Sequence, residues 1–165
     1  MFNFYNFYKG LLKRTDYFNN YWEQFPEGCL LRFKKETLSL LKENIKNQDE
    51  KGLSCTLAII CKDGADKDYT DILLSLLDEN WHFCEEDIVE ILEYIKDPKS
   101  IHKLYELAIN VPDYDDMRSL AKKCMWALSA INTTDSKMKL ILLQKSDDPI
   151  ISENASFQLE QTKQK

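Results

Sequence analysis

Leu92, Ile95 and Leu104 return as Leu128, Ile131 and Leu140, each 36 residues later, and Leu57 and Ile60 stand 35 residues before Leu92 and Ile95. The beat continues toward the C-terminal end, where Ala155 and Leu159 take the places of Cys124 and Leu128. A period near 35 residues, built from apolar positions three and four apart, calls for helices that come in pairs. A lone pair cannot bury both of its faces, so neighbouring pairs must stack. That requirement limits the chain to an all-α fold.

The spacing is clearest from Asp116 to Ile131. Met117, Leu120, Ala121, Cys124, Ala127, Leu128 and Ile131 fall on one stripe of one helix. Ile88, Ile91, Leu92 and Ile95 repeat the pattern, as do Ile101, Leu104, Tyr105 and Ala108. The spacing predicts helices over 35–47, 53–62, 68–79, 85–96, 98–110, 116–131, 134–145 and 148–162. Breaks fall where the chemistry places them. Asp97-Pro98 and Asp148-Pro149 each open a helix, since Pro suits the first helical position and disfavours α geometry in the residue before it. Asn132-Thr133-Thr134-Asp135 supplies cap residues, and Lys62-Asp63-Gly64 closes a helix. Four Gly and four Pro are too few for the many turns of an all-β fold.

The run IKDPKSIHKLYELAI, then an acidic loop, then RSLAKKCMWALSAI, resembles HEAT repeats of the short bacterial type. The resemblance covers about residues 52–162 and is best over 84–159; Thr133-Thr134 replaces Asp-Pro in the later repeat. It implies a right-handed α-α superhelix, a HEAT-like solenoid, over residues 34–165 as one structural unit. With the Trp81-His82-Phe83 lead-in, the pattern also looks like small HEAT-type proteins encoded beside bacterial toxins, which implies an immunity or binding role.

Residues 1–33 stand outside the repeat. Phe2, Phe4, Tyr5, Phe7, Tyr8, Tyr17, Phe18, Tyr21 and Trp22 crowd into this segment. Because a stack of repeats needs a terminal unit over its exposed end, an aromatic N-terminal cap of one or two short helices is expected. The alternative is an arm whose aromatics dock on a partner or on a second copy.

Charge narrows the range of partners. The net charge is −6, and residues 51–165 carry fourteen Lys and Arg against twenty-one Asp and Glu. An acidic body disfavours nucleic acid and anionic membranes, and it steers toward a basic protein. The longest apolar runs, such as Leu140–Leu143, are far short of a membrane span. MFNFYNFYKGLLKR does not have the layout of a signal peptide. Five cysteines without a C-x-x-C pair point to reduced thiols and a cytoplasmic address.

The most chemically loaded segment is DENWHFCEED, Asp78–Asp87. His82 and Cys84 could ligand zinc, but a site needs three or four ligands and the other histidine is His102, with no spaced Cys. A Cys–His nucleophile pair lacks an orienting third group, and the surrounding carboxylates would raise the thiol pKa. No P-loop, glycine-rich turn or triad appears. The expectation is therefore a non-enzymatic chain with no metal and no cofactor. Structurally, Glu85, Glu86 and Asp87 complement the start of a helix, with Trp81 or Phe83 packing back as a staple.

Loops joining successive helix pairs lie along one edge of such a stack. Here they are Asp78–Asp87, Asn110–Asp116 and Lys145–Pro149. Aligned, they predict an acidic binding edge of Trp81, His82, Phe83, Glu85, Glu86, Asp113, Tyr114, Asp115, Asp116, Asp147 and Asp148. In the bland reading each acid merely caps its own helix. Trp126 lies opposite the Cys124 stripe, either covered by a neighbouring repeat or exposed as an outer anchor. Lys99, Lys103, Lys137 and Lys139 fall on second helices of pairs and could form a concave basic strip. The expected function is a protein-binding module, hypothetically an immunity or adaptor protein blocking a basic partner such as a toxin domain. The alternative is a nucleic-acid-binding HEAT-repeat protein using the lysine strip.

Overall fold

Capping and spacing produce helices throughout the computed structural model, which describes residues 1–14, 20–28, 30–111 and 115–163. Tyr17, Phe18, Cys29, Asp113 and Tyr114 lie outside the described residues. Among the described residues every regular element is helical. The α-helices are α1 (Phe4–Leu12), α2 (Lys34–Asn47), α3 (Glu50–Asp63), α4 (Thr70–Leu76), α5 (Glu85–Ile95), α6 (Ile101–Ile109), α7 (Ser119–Ile131), α8 (Thr134–Leu143) and α9 (Pro149–Lys163). Short 3-10 turns occupy Asn20–Gln24, Lys67–Tyr69 and Pro98–Ser100. None of these helices is long and apolar enough to cross a membrane.

The chain divides into two compact units: Met1–Tyr69 with Glu79–Cys84, and Thr70–Asp78 with Glu85–Lys165. In the first, α1 and α2 each pack against α3. Phe4, Phe7, Tyr8, Leu11, Phe25 and Phe33 are buried with Leu40, Cys55 and Ile59 in one cluster, flanked by Phe2, Tyr21 and Trp22. Phe7 stacks on Tyr21 at 4.9 Å between ring centroids and meets Trp22 and Phe25 at 5.4 and 5.3 Å. The Tyr21 hydroxyl donates to the Phe7 carbonyl, and a Cβ at Gly10 would overlap that hydroxyl, so the glycine is what lets Tyr21 close over α1.

Polar groups are buried in this unit too. The Tyr8 hydroxyl donates to Asn44 Oδ1 (3.3 Å), Asn44 Nδ2 to Thr56 Oγ1 (2.9 Å) and Thr56 Oγ1 to the Gly52 carbonyl (2.8 Å). Thr37 and Tyr69 share a 2.6 Å hydrogen bond. The Asp63 carboxylate accepts the backbone N–H groups of Arg32 (3.2 Å) and Phe33 (2.8 Å), which fixes the approach to α2.

In the second unit α4 packs on α5, α6 on α7, α7 on α8 and α8 on α9, and from α5 onward alternate helices also pack on one another. Thus α5 lies on α7, α7 on α9 and α6 on α8. Two of the three pairs related by 36 residues are buried together, Leu92 with Leu128 and Leu104 with Leu140, while Ile95 is only partly buried where Ile131 is buried. Cys124 and Ala155 are buried likewise. Helix ends carry the polar bonds. Asp97 accepts from the Lys99 N–H and the Thr70 hydroxyl, each at 3.1 Å. Thr133 and Ser136 form a capping box at the start of α8.

Among the boundaries that differ from the sequence expectation, two follow from a cap and one from a 3-10 turn. Helix α3 begins at Glu50, not 53, because Asp49 accepts the Gly52 N–H at 2.9 Å and a polar first turn precedes the apolar stripe. The helix expected over 68–79 is a 3-10 turn followed by α4, which stops at Leu76. Helix α7 begins at Ser119, not Asp116. The Asp115 carboxylate takes the Ser119 and Leu120 N–H groups (2.8 and 3.2 Å), and Arg118 sits in left-handed geometry at φ 56°. Met117 therefore leaves the stripe and is exposed.

Candidate functional site

The segment Asp78–Asp87 is shared between the two units: Glu79–Cys84 belongs to the first and the rest to the second. Within the first unit its chain alternates inward and outward. His82 is 1% exposed and Cys84 is buried, while Phe83 between them is 81% exposed. The Phe83 N–H donates to Glu50 Oε1 (3.1 Å), and the Cys84 N–H donates to His82 Nδ1 (3.2 Å). The Trp81 ring meets His82 edge-on at 4.8 Å. Two buried neighbours and two backbone hydrogen bonds thus hold an apolar ring out in water. His82, expected on the binding edge, is instead one of those buried anchors, because an extended chain that points one ring outward points its neighbours inward. Phe83, at its exposure, does not act as a staple.

In the second unit, Glu85, Glu86 and Asp87 occupy the first turn of α5 as expected. Glu86 is not idle: Lys123 of α7 reaches it at 3.2 Å and Glu90 at 3.5 Å. Asp115 caps α7. Asp148 accepts the Ile150 N–H (2.9 Å) at the start of α9 and also takes Arg118 Nε at 2.6 Å. The Arg118 guanidinium further donates to the Asp115 carbonyl (2.6 Å). Its hydrogen bond holds the Asp148 carboxyl below the usual carboxylate range. Asp116 and Asp147 face solvent. Asp113 and Tyr114 lie outside the described residues. Sequence reasoning passed over Arg118, whose signal was present: it is the one base following Asp113, Asp115 and Asp116.

Among the described residues, three of the four lysines expected to line a basic strip, Lys99, Lys103 and Lys139 but not Lys137, have a partner within the same unit. Lys99 meets both oxygens of Asp71 at 3.0 and 3.1 Å, and Lys103 pairs with Asp78. Lys139 lies over the Tyr105 ring at 4.6 Å. Trp126 of α7 is 41% exposed, so it is only partly covered.

Among the described residues no three His, Cys, Asp or Glu side chains converge where a metal could sit. Burial pushes the Cys124 thiol far up, away from the reactive thiolate. Among the described residues, a hollow of about 350 Å³ is lined by Trp22, Phe25, Glu27 and Lys62 and another of about 460 Å³ by Phe2, Asn6 and Tyr21.

No protein-family model, curated protein or solved structure matches this chain.

Proposed function

We propose that this chain is a non-enzymatic protein-binding module: an aromatic cap followed by a short, right-handed, HEAT-like stack of helix pairs. In this reading it acts as an immunity or adaptor protein that covers a basic target such as a toxin domain. The helix packing of the second unit from α5 to α9, α5 on α7, α6 on α8 and α7 on α9, supports the stack.

The observation that carries the binding role is Phe83. Leaving a Phe in water forgoes about 1.5–3 kcal/mol relative to burying it. Here the ring is held out by its own backbone bonds and by buried neighbours, so it loses little freedom on meeting a partner. A preorganised aromatic ring is the usual centre of a binding hot spot. Glu50, whose carboxylate accepts the Phe83 N–H, and Glu79, exposed four residues earlier in the chain, add negative charge to this part of the unit, suited to a basic surface. The carboxylates facing Lys99 and Lys103 weaken the field a nucleic acid would need, which favours this reading over the lysine-strip alternative.

Affinity capture from the cells of origin tests it, using the wild type, Phe83→Ala and Glu79→Lys. The expected result is a basic protein retained by the wild type and depleted at least about tenfold by Phe83→Ala, with thermal unfolding unchanged. Equal retention by both variants sinks the role given to Phe83. Salt-sensitive retention of nucleic acid instead would establish the alternative.

A further inference from the structure

Helix α8 is apolar on two sides. Its inner side buries Leu140 and Leu143 against the second unit. Its outer side presents Met138 (52% exposed), Ile141 (38%) and Leu142 (41%), at positions that align on one face of the helix. A surface helix ordinarily turns polar residues outward, and a helix apolar all round is ordinarily enclosed. The outer stripe is continuous, since Met138 is followed by Ile141 and Leu142 after three and four residues.

The ends of the stripe indicate what covers it. Asp135, exposed in the first turn of α8, stands at one end, and Lys145, exposed just past the last turn, stands at the other. Neither has an ion-pair partner among the described residues. Reversed and laid against itself, the stripe sets Asp135 opposite Lys145 at both ends, with Met138 opposite Leu142 between them. A parallel copy would instead place like charges together. The surface is thus complementary to itself in the antiparallel sense, as an interface related by a two-fold axis requires.

We infer that the outer face of α8 is a self-association surface, on which a second copy of this chain docks antiparallel through Met138, Ile141 and Leu142, with Asp135–Lys145 pairs closing the two ends. A single helix face gives a small interface, below the roughly 1,200 Å² total of stable complexes, so the dimer is weak and dissociates on dilution.

Sedimentation of the full chain across a range from about 5 to 500 µM reads the effect, which suits a dissociation constant on the order of 100 µM. The wild-type mass should climb from monomer toward dimer. Ile141→Glu should weaken association at least about tenfold while leaving the melting temperature in place, because the side chain is already in contact with water. Asp135→Lys and Lys145→Asp should each weaken it, since each alone sets like charges face to face at both ends. Mixing these two single variants should restore association, because in the mixed pair every end again joins opposite charges. Restoration in the mixture is a readout that helix-end charge effects within one chain cannot produce. A wild type that stays monomeric throughout overturns the inference and assigns the face to a different molecule. Association that ignores Ile141→Glu, or a mixture no better than its components, overturns it too.

Discussion

The two units bury their cores with different materials. In the first, rings meet rings: Phe2, Phe4, Phe7, Phe25 and Phe33 contact one another with centroids 5.1 to 5.7 Å apart. Asn44, Thr56, Thr37 and Asp63 are buried in the same unit and hydrogen-bonded. In the second, the core is aliphatic, with Ile88, Leu92, Leu104, Leu128 and Leu140 at repeated positions, and many of its polar bonds sit at helix ends. Aliphatic side chains pack without strict direction, so a repeated stripe suffices and the same solution can recur along the chain. Rings and buried polar groups have preferred geometries, which specify one arrangement and do not recur. The unit with periodic sequence is therefore the one held by interchangeable parts.

Core substitutions should expose that difference most strongly. Truncating either core is costly: Phe7→Ala by about 3–5 kcal/mol and Leu128→Ala by about 2–5 kcal/mol in denaturant titrations. Conservative swaps should separate them. Leu128→Met preserves volume and should cost less than about 1.5 kcal/mol. Phe7→Leu forfeits the ring contacts with Tyr21, Trp22 and Phe25, each worth about 0.5–1.5 kcal/mol beyond its area, and should cost clearly more. Equal costs for the two swaps would remove the distinction between the cores.

Polar bonds give the next contrast. Asn44→Leu strands the Tyr8 hydroxyl and takes from Thr56 the amide it accepted, at a cost of about 1–3 kcal/mol for each buried group left unsatisfied. Thr133→Ala removes only a cap at a partly wet helix end, and about 1 kcal/mol is expected. If the cap variant proves the more damaging in the same titration, the buried network is not what pins the first unit.

This contrast also explains what could be read from the sequence. Leu92, Leu128, Leu104 and Leu140 announced the helices of the second unit because burial there follows period alone. Asp97-Pro98 and Asp148-Pro149 announced two starts because capping is local chemistry. Met117 was misplaced because the spacing admits it to the stripe, while the Asp115 cap and the left-handed Arg118 start the helix three residues later. The buried bonds of Asn44 and Asp63 were invisible, since their partners lie 12 and about 30 residues away in a region without a repeat. DENWHFCEED displayed its rare residue types, but no pattern in it tells that His82 turns in and Phe83 out.

Acid should affect two of these carboxylates with opposite sign. Burial pushes the Asp63 carboxyl up, although the Phe33 and Arg32 amides oppose it. Its folded-state value lies above its unfolded one, so its ionisation costs stability at neutral pH and that cost is relieved as pH falls through the raised value. Arg118 pulls the Asp148 carboxyl down. Its contribution is present above the ordinary carboxylate value of about 4 and is lost as pH falls through the depressed one. Stability measured from pH 7 down to about 3 should show the gap between wild type and Asp148→Asn closing, and the gap between wild type and Asp63→Asn opening. If both gaps close, the Asp63 assignment fails; if both open, the Asp148 assignment fails.

The smallest effects belong to ion pairs at the surface, and even these differ between the units. Lys34 stands between Asp66 (2.6 Å) and Asp68, with its side chain only 25% exposed, and those bonds push its ammonium up to about 12. Lys99 meets Asp71 with both partners largely in water. An exposed pair gains little, because water solvates the separated charges almost as well and two long side chains must be held still. Lys99→Ala should therefore melt with the wild type, whereas Lys34→Ala leaves two carboxylates facing each other and should melt lower. That repulsion acts through solvent, where the screening length falls to about 3 Å in 1 M salt, so concentrated salt should narrow the Lys34 difference and leave the Lys99 difference at zero. A Lys34 difference that persists undiminished in salt would mean that its aliphatic stem, packed on the unit, matters more than its charge.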